Sequence, residues 1–304
     1  MLLFIEQLLN GLQLGVTLFL MSAGLTLVFG IMRVINLAHG SLYMTGAYVA
    51  ATVTAHTGSF LLGLLAALPA AAAVGMLLEV AVLRFLYDRD HLDQVLATLG
   101  LIFFFNELAR IIWGRQPLFM DVPSWLSGTV EIIPGAPYPA YRLAIIAVGV
   151  MVGVFLYLLF KHTRLGMRIR AGAVNREMIG ALGVNISLLY TLVFGLGALL
   201  AGLAGVMAGP ILAVESGMGE SILILTFVVI VIGGIGSTRG AMVAALLVGL
   251  VDTLGRVFLP DLLRVFFSPT VADGAGSSLA SMSVYILMSA ILIWRPQGLF
   301  PKQG

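Results

Sequence analysis

Long apolar runs separated by short polar breaks are the first feature of this sequence. One helical crossing of a bilayer needs about 20 mostly apolar residues. Runs of roughly this kind lie near 8–32, 37–55, 60–83, 95–113, 142–160, 187–213, 219–236, 240–258 and 282–294. The last run is short, and the 219–258 region could form a re-entrant pair. We therefore predict a bundle of eight or nine transmembrane helices, since the alternation typical of a membrane β-barrel is absent.

The composition points to the same class of protein. Hydrophobic residues make up 60% of the 304 residues and charged residues 10%, against about 45–50% and about 25% in soluble domains. So few charges cannot cover the surface of a soluble protein of this size. The chain is predicted to be an all-α polytopic membrane protein, with one transmembrane domain over 1–304.

The basic residues predict which side of the membrane each loop faces. Loop 161–177 holds five basic residues against one acidic residue, and short loops of this kind stay cytoplasmic. Counting crossings back from this loop places residues 33–36 inside and the N-terminus outside, whereas an even number of crossings would place the N-terminus inside. The other segments predicted to be cytoplasmic are 84–94 and 295–304, and those predicted to lie outside are 114–141 and 260–278.

One polar break is unusual, because Arg33, Asn36 and His39 lie within seven residues between two apolar runs. We interpret it as the cytoplasmic joint between two spans, with Arg33 at the headgroups and Asn36 capping a helix that begins at Leu37. His39 is either a hydrogen-bonded packing residue or a group that lines a gate. Asn36, His39 and Tyr43 are candidate residues of a solute pathway.

An acidic turn supplies a second candidate site. The stretch "AVESGMGESI" (213–222) places Glu215 and Glu220 around two glycines. Either it is a solvated turn between two helices, or its carboxylates lie at the mouth of a pathway. In the second case they could meet an ammonium group or a docking protein.

Small residues recur every four positions along run 187–213. They are Gly197, Ala201, Gly205 and Gly209. Such a ridge lets helix backbones approach closely in a membrane. The ridge either packs the helices of this chain together, or it lets one helix slide against its neighbours during transport.

The basic segment 164–186 contains a short helix of its own. Asn175 can be its N-cap, Glu177 lies in its first turn, and Gly183 suits the position just past its end. A helix of about two turns is marginal alone. It therefore either enters the groove of a protein partner or lies on anionic lipid. Its predicted apolar face comprises Met178, Ile179 and Leu182.

Patterns typical of catalysis are absent from the sequence. There is no G-x-x-x-x-G-K motif, no G-x-S-x-G motif, no cysteine and no metal-binding spacing among the four histidines. ATP hydrolysis, if it drives this protein, must come from a partner. An ion-coupled secondary transporter is the alternative, but the intramembrane charges have spacings that let each pair neutralise itself. Those pairs are Glu107 with Arg110 and Asp252 with Arg256.

Three segments resemble the permeases of branched-chain amino acid ABC importers of the LivH type. They are "GLTLVFGIMRVINLAHGSLYMTGAY" (24–48), "RAGAVNREMIGALGVN" (170–185) and "GGIGSTRGA" (233–241). The similarity runs from about residue 9 to residue 300. It implies a multi-pass permease of the bacterial inner membrane that works by alternating access.

The resemblance also implies the partners of the chain. These are a second homologous permease subunit that completes a heterodimer, two cytoplasmic ATPases that bind ATP and Mg²⁺, and a periplasmic solute-binding protein. The chain itself would bind no cofactor and no nucleic acid. Its expected contacts with the ATPase lie in a coupling helix, at Arg170, Asn175, Glu177, Met178, Gly183 and Val184.

The resemblance leaves the solute open. Branched-chain or related hydrophobic amino acids are the expected solutes, and relatives also carry urea, short amides or aromatic acids.

Overall fold

The computed structural model describes residues 2–32, 34–133 and 135–300, and most of these residues are helical. Two predictions fall partly outside these residues: Arg33, which is predicted at the headgroups, and 301–304, the end of the predicted cytoplasmic segment 295–304. The helices are α1 (Leu2–Met32), α2 (His39–Thr57), α3 (Phe60–Ala81), α4 (His91–Trp113), α5 (Ala140–His162), α6 (Arg164–Val174), α7 (Arg176–Ala181), α8 (Ile186–Ala208), α9 (Met218–Gly233), α10 (Thr238–Leu263) and α11 (Pro269–Trp294).

The prediction of an all-α polytopic membrane protein is confirmed. Among the described residues, seven helices are long and apolar enough to cross a bilayer, and α9 is a shorter apolar helix of 16 residues. The seven are α1, α3, α4, α5, α8, α10 and α11. Helix α2 is as long as a span, but its polar residues make it less apolar. Strands β1 (Thr129–Ile133) and β2 (Ala136–Pro139) form an antiparallel hairpin, and two 3₁₀ turns cover Leu83–Leu86 and Ser124–Leu126.

The prediction was wrong about the last span, because α11 begins at Pro269 and not near 282. The sequence of this helix starts with small and polar residues, a pattern that is typical of a loop. The hydroxyl groups of Ser277, Ser278 and Ser281 donate hydrogen bonds to carbonyl oxygens three or four residues earlier in α11. A serine that bonds within its own helix can remain in an apolar surrounding. The predicted outer loop 260–278 therefore shrinks to the turn 264–268.

The loops fall into two groups at opposite ends of the bundle. The basic end, as we name it, consists of 83–90, 163–185, 234–237 and 295–300, and the hairpin end consists of 114–139, 209–217 and 264–268. At the basic end Arg176 forms a 3.4 Å ion pair with Asp88. At the hairpin end Leu118 and Val214 exchange two backbone hydrogen bonds of 2.9 Å. This grouping agrees with the one that the charges predict.

Helices α1, α2 and α8 form the centre of the bundle, and they meet through residues without bulky side chains. A Cβ built at Gly46 of α2 would lie 2.5 Å from the Cα of Gly202 in α8. A Cβ built at Gly197 would lie 3.0 Å from the carbonyl oxygen of Gly24 in α1. The predicted small-residue ridge is buried in these contacts, where Gly205 faces the main chain of Tyr43. Ala201 is fully buried, and Gly209 packs against Met120.

The C-terminal segment 295–300 folds back onto the end of α9. The main-chain N–H of Leu299 donates to the carbonyl oxygen of Ile232 at 2.8 Å, and that of Phe300 donates to Gly233 at 3.1 Å. These carbonyls lie in the last turn of α9, where no further helical turn can satisfy them. Gly298 makes the approach possible, since its φ is +83° and it touches Gly234.

Candidate functional site

The polar break between the first two spans folds into the interior of the protein. Asn36 and His39 are both 0% exposed. Helix α2 begins at His39, and its N-cap residue Ala38 makes no side-chain hydrogen bond. The prediction that Asn36 caps a helix from Leu37 is therefore wrong, because residues 34–36 continue as non-helical chain and carry Asn36 inward.

The side chains of Asn36 and His39 have an unusual environment. None of their four polar side-chain atoms makes a hydrogen bond of good geometry to the described residues. A Cβ built at Gly24 of α1 would lie 3.0 Å from Nε2 of His39, so the ring is in direct contact with that helix. Each unsatisfied buried polar group costs about 1–3 kcal/mol. Packing, and not hydrogen bonding of good geometry to the described residues, holds both side chains in this place.

A separate surface between α4 and the start of α9 contains Glu220, another of the predicted pathway residues. We call this surface the polar seam, and it consists of Asn106, Glu107, Arg110, Ser216 and Glu220. Asn106 Nδ2 donates a short hydrogen bond to Glu220 Oε1. Arg110 Nε donates to Ser216 Oγ at 3.1 Å, and Arg110 Nη1 donates to Glu107 Oε2 at 3.3 Å.

The polar seam reaches into the depth of the bundle. Asn106 precedes the last residue of α4, Trp113, by seven positions, which corresponds to about 10 Å along the helix. Directly beside Asn106 and Glu220, a narrow apolar cleft runs between α2, α4 and α9. The cleft is lined by Leu37, Gly40, Ser41, Met44, Ile102, Gly219 and Leu223. The segment that follows the polar break thus forms one wall of the cleft beside the seam.

Glu215 lies beside the seam at the hairpin end. Its side chain is exposed, and both Glu215 and Arg110 are close enough to the hydroxyl of Tyr48 to act on it electrostatically. The ring of Tyr48 stacks on Trp113 with 4.7 Å between centroids. The structure therefore brings Glu215 and Glu220 close to Asn106, Glu107 and Arg110 of α4. The other predicted pathway residues, Asn36, His39 and Tyr43, are buried in the bundle.

Helix α4 is loosely attached to the rest of the chain. Its buried residues are only Gln94, Thr98, Ile102 and Ala109. Its outward surface combines large apolar side chains, such as Phe103 at 63% exposure, with the charged residues of the seam. Charged groups at membrane depth are costly and usually face a cavity or a protein partner. This surface is therefore unlike one that faces lipid alone.

The second ion pair that the sequence predicts forms within α10. Arg256 donates to both carboxylate oxygens of Asp252 at 2.8 and 2.9 Å. Since Asp252 is buried and Arg256 is its partner one helical turn away, this pair neutralises itself within one helix, as its spacing indicates.

The basic end carries the short helix that the sequence predicts. Asn175 Oδ1 accepts from the N–H of Met178 at 2.9 Å, which confirms the N-cap. Gly183 has a φ of +84°, and its neighbour Val184 donates to the carbonyl of Ile179 at 3.2 Å, which is the hydrogen bond of a Schellman ending. Glu177 lies in the first turn of α7, as predicted.

The apolar face of α7 differs from the predicted one. Ile179 is buried against the protein, whereas Met178 and Leu182 are 61% and 75% exposed. Val174, at the end of α6, is also exposed and continues the same surface. Helix α6 itself, which carries Arg170, was not predicted. We name Val174, Met178 and Leu182 the α7 patch.

Sequence reasoning also missed a buried carboxylate at the basic end. Glu79 lies in the last turn of α3, a position typical of residues at the water interface, yet it is 0% exposed. Tyr87 and Thr191 each donate a hydroxyl hydrogen bond of 2.6 Å to it, and Arg84 Nη2 donates at 3.1 Å. Burial, together with the hydrogen bond that its hydroxyl donates to Glu79, raises the pKa of Tyr87 above its usual range. The four residues connect α3, the following 3₁₀ turn and α8.

Comparisons with known proteins give one consistent family. Residues 7–292 match the family model described as branched-chain amino acid transport system, permease component. The high-affinity branched-chain amino acid transport system permease protein BraD of Pseudomonas aeruginosa is 30% identical over 98% of this chain and 96% of its own. The permease protein LivH of Escherichia coli K12, which has the same description, is 30% identical over 84% of this chain and 87% of its own.

A more distant relative has a different solute in its name. The ribose import permease protein RbsC of Escherichia coli K12 is 26% identical over 82% of this chain and 77% of its own. No solved structure shows significant similarity to the chain.

Proposed function

The chain belongs to the family of branched-chain amino acid transport system permeases, and from this premise we propose that it is the membrane subunit of an ATP-driven importer. The importer would lie in a bacterial inner membrane, with the basic end of this chain facing the cytoplasm. ATP, with Mg²⁺, would be hydrolysed on two partner ATPases. A second homologous permease subunit would complete the pathway, and a periplasmic binding protein would deliver the solute.

The observation that carries this proposal is the α7 patch. A helix of six residues is not stable alone, but α7 is fixed by the Asn175 cap, by buried Ile179 and by the ion pair of Arg176 with Asp88. The helix therefore holds Met178 in a fixed, exposed position at the basic end. A preformed apolar face of this kind suits the groove of a protein partner.

The names of the relatives support the proposed solute. Both BraD and LivH, the two relatives at 30% identity, are described as permeases for branched-chain amino acids. The ribose permease is less similar. We therefore propose branched-chain or related hydrophobic amino acids as the solute class.

The experiment that tests the proposal reconstitutes the chain with the ATPases, second permease and binding protein encoded beside its gene. Substituting Met178→Arg places a charge in the α7 patch, and we expect ATP-dependent leucine uptake to be lost while the subunit still inserts into the membrane. Met167→Arg is the matched control, because Met167 is similarly exposed at 59% but lies on α6.

Two results would contradict the proposal. Leucine uptake by this chain alone, driven by an ion gradient without ATP, would make it a secondary transporter. Undiminished coupling in Met178→Arg would show that α7 does not meet the ATPase.

A further inference from the structure

We infer that the polar seam is a subsite for a zwitterionic solute, in which Glu220 holds the ammonium group and Arg110 the carboxylate. This inference rests on the proposed function as an importer. It adds the residues that would recognise the solute inside the membrane subunit itself.

The seam has unused binding capacity. Glu220 makes a single side-chain hydrogen bond, from Asn106, and its other carboxylate oxygen has no partner among the described residues. Arg110 uses Nε and Nη1 for Ser216 and Glu107, and within the described part of the chain its Nη2 group is free. Glu220 and Arg110 can therefore each bind one more charged group.

The two charged groups of the seam are held at positions of α4 that are one helical turn apart. Asn106, which holds Glu220, and Arg110 are one helical turn apart on α4, or about 6 Å along the axis. An α-amino acid carries its ammonium and carboxylate groups on one carbon atom. A guanidinium group binds a carboxylate with directed hydrogen bonds, and a carboxylate accepts hydrogen bonds from an ammonium group.

The same argument separates the solutes that the family resemblance leaves open. A neutral solute, such as urea or an amide, carries no charge to pair with the free carboxylate oxygen of Glu220 or the free Nη2 group of Arg110. An aromatic acid would match Arg110 but would place a second negative charge beside Glu220. Only a zwitterion offers a charge of the right sign to both free groups.

The side chains beside the seam are apolar, so they would line an aliphatic side chain if the closed cleft opened. Met44, Ile102 and Leu223 lie next to Glu220 and Asn106. The cleft is narrow in this conformation because the main chains of Gly40 and Gly219 touch each other. A solute held at the seam would place its side chain against these residues once α9 moves away from α2.

The test measures direct binding of solutes to the purified complex of permeases and ATPases, without the binding protein, by saturation-transfer NMR. The probes are L-leucine, 4-methylpentanoate, which lacks the ammonium group, 3-methylbutylamine, which lacks the carboxylate, and urea. For the wild-type complex we expect L-leucine to bind best. We expect Glu220→Gln to weaken L-leucine binding about tenfold, the order that one lost charge-assisted hydrogen bond produces.

The variants distinguish the two charges of the solute. Glu220→Gln should not weaken the binding of 4-methylpentanoate, and Arg110→Gln should not weaken that of 3-methylbutylamine, because each change removes a group of like charge. Glu220→Asp keeps the charge and should restore part of the affinity for L-leucine. Glu131→Gln is the control, because Glu131 is an exposed carboxylate of the hairpin, outside the seam.

The possible failures have different meanings. If the wild-type complex imports L-leucine but Glu220→Gln and Arg110→Gln bind it with unchanged affinity, the inference is wrong and the proposed function stands. If urea binds as well as L-leucine, the seam is not a zwitterion subsite. If the wild-type complex neither binds nor imports L-leucine, the proposed solute class is wrong. Should Glu220→Gln fail to assemble, Asn106→Ala, which frees the Glu220 carboxylate, tests the same contact.

Discussion

Replacing the buried carboxylate Glu79 by glutamine should destabilise the basic end of the bundle. The carboxylate is 0% exposed and accepts hydrogen bonds from Tyr87, Thr191 and Arg84. Glutamine has the same shape but only one acceptor oxygen, and its NH₂ group would face a hydroxyl donor. At least one of the two hydroxyl groups therefore loses its carboxylate acceptor, and for Thr191 only the carbonyl oxygen of Ser187, at 3.0 Å, remains.

The size of the effect follows from these contacts. A hydrogen bond to a charged group contributes about 1.5–3 kcal/mol, and the two hydroxyl bonds are both 2.6 Å long. The change also removes the ion pair between Arg84, which is 37% exposed, and the fully buried Glu79, but it removes the desolvation cost of the buried carboxylate as well, so these two effects largely offset each other. Losing one hydroxyl bond and weakening the other should lower the free energy of unfolding by about 3 kcal/mol.

The measurement is reversible unfolding of the purified chain in mixed micelles, followed by circular dichroism. Thr191→Val removes one donor alone and should cost about half as much. In a double-mutant cycle the two changes should not be additive, since they share one hydrogen bond. Asp261→Asn is the control, because this exposed partner of Arg264 should change stability by less than about 0.5 kcal/mol. A cost below that size for Glu79→Gln would refute the reasoning.

Three further changes test other parts of the structure. Gly46→Val should prevent stable folding, because its Cβ would meet the main chain of Gly202. Gly100→Ala, at an open position, should fold normally. The yield of monodisperse protein in detergent is the measurement for both variants. His39→Gln should leave the pH profile of solute uptake unchanged, because the ring is fully buried and packed; an altered profile would assign the ring a role in gating. Gly298→Val should release the C-terminal segment, since φ is +83° there, and limited proteolysis should then cleave the segment faster than in the wild type.

The sequence predicts those features that depend on local rules. The apolar runs locate most spans, and Asn175 with Gly183 locates α7 because a cap and a helix ending need only neighbouring residues. The charges also group the loops into two ends correctly. All of these signals lie within about one loop or one helix.

The features that were missed depend on contacts between distant segments. Nothing near Glu79 in the sequence shows that Thr191 of α8 will cover it, so its burial could not be read from its position at a helix end. The inward course of Asn36 and the contact of His39 with Gly24 of α1 arise from tertiary packing, which the local sequence around residue 36 does not show. The polar seam joins α4 to residues about 110 positions later, a pairing that only the fold creates.

Helix α9 is held by main-chain hydrogen bonds at one end and mainly by packing at the other. At the basic end Leu299 and Phe300 bind its last carbonyls, and Gly233 touches Gly240 of α10. At the far end Gly219 packs against the main chain of Gly40, and Glu220 has one side-chain hydrogen bond, to the loosely packed α4. The helix is 16 residues long, or about 24 Å, so a rotation of about 10° around its basic end would displace the Glu220 end by about 4 Å. Such a rotation would separate Gly219 from Gly40 and open the seam by the width of an aliphatic side chain.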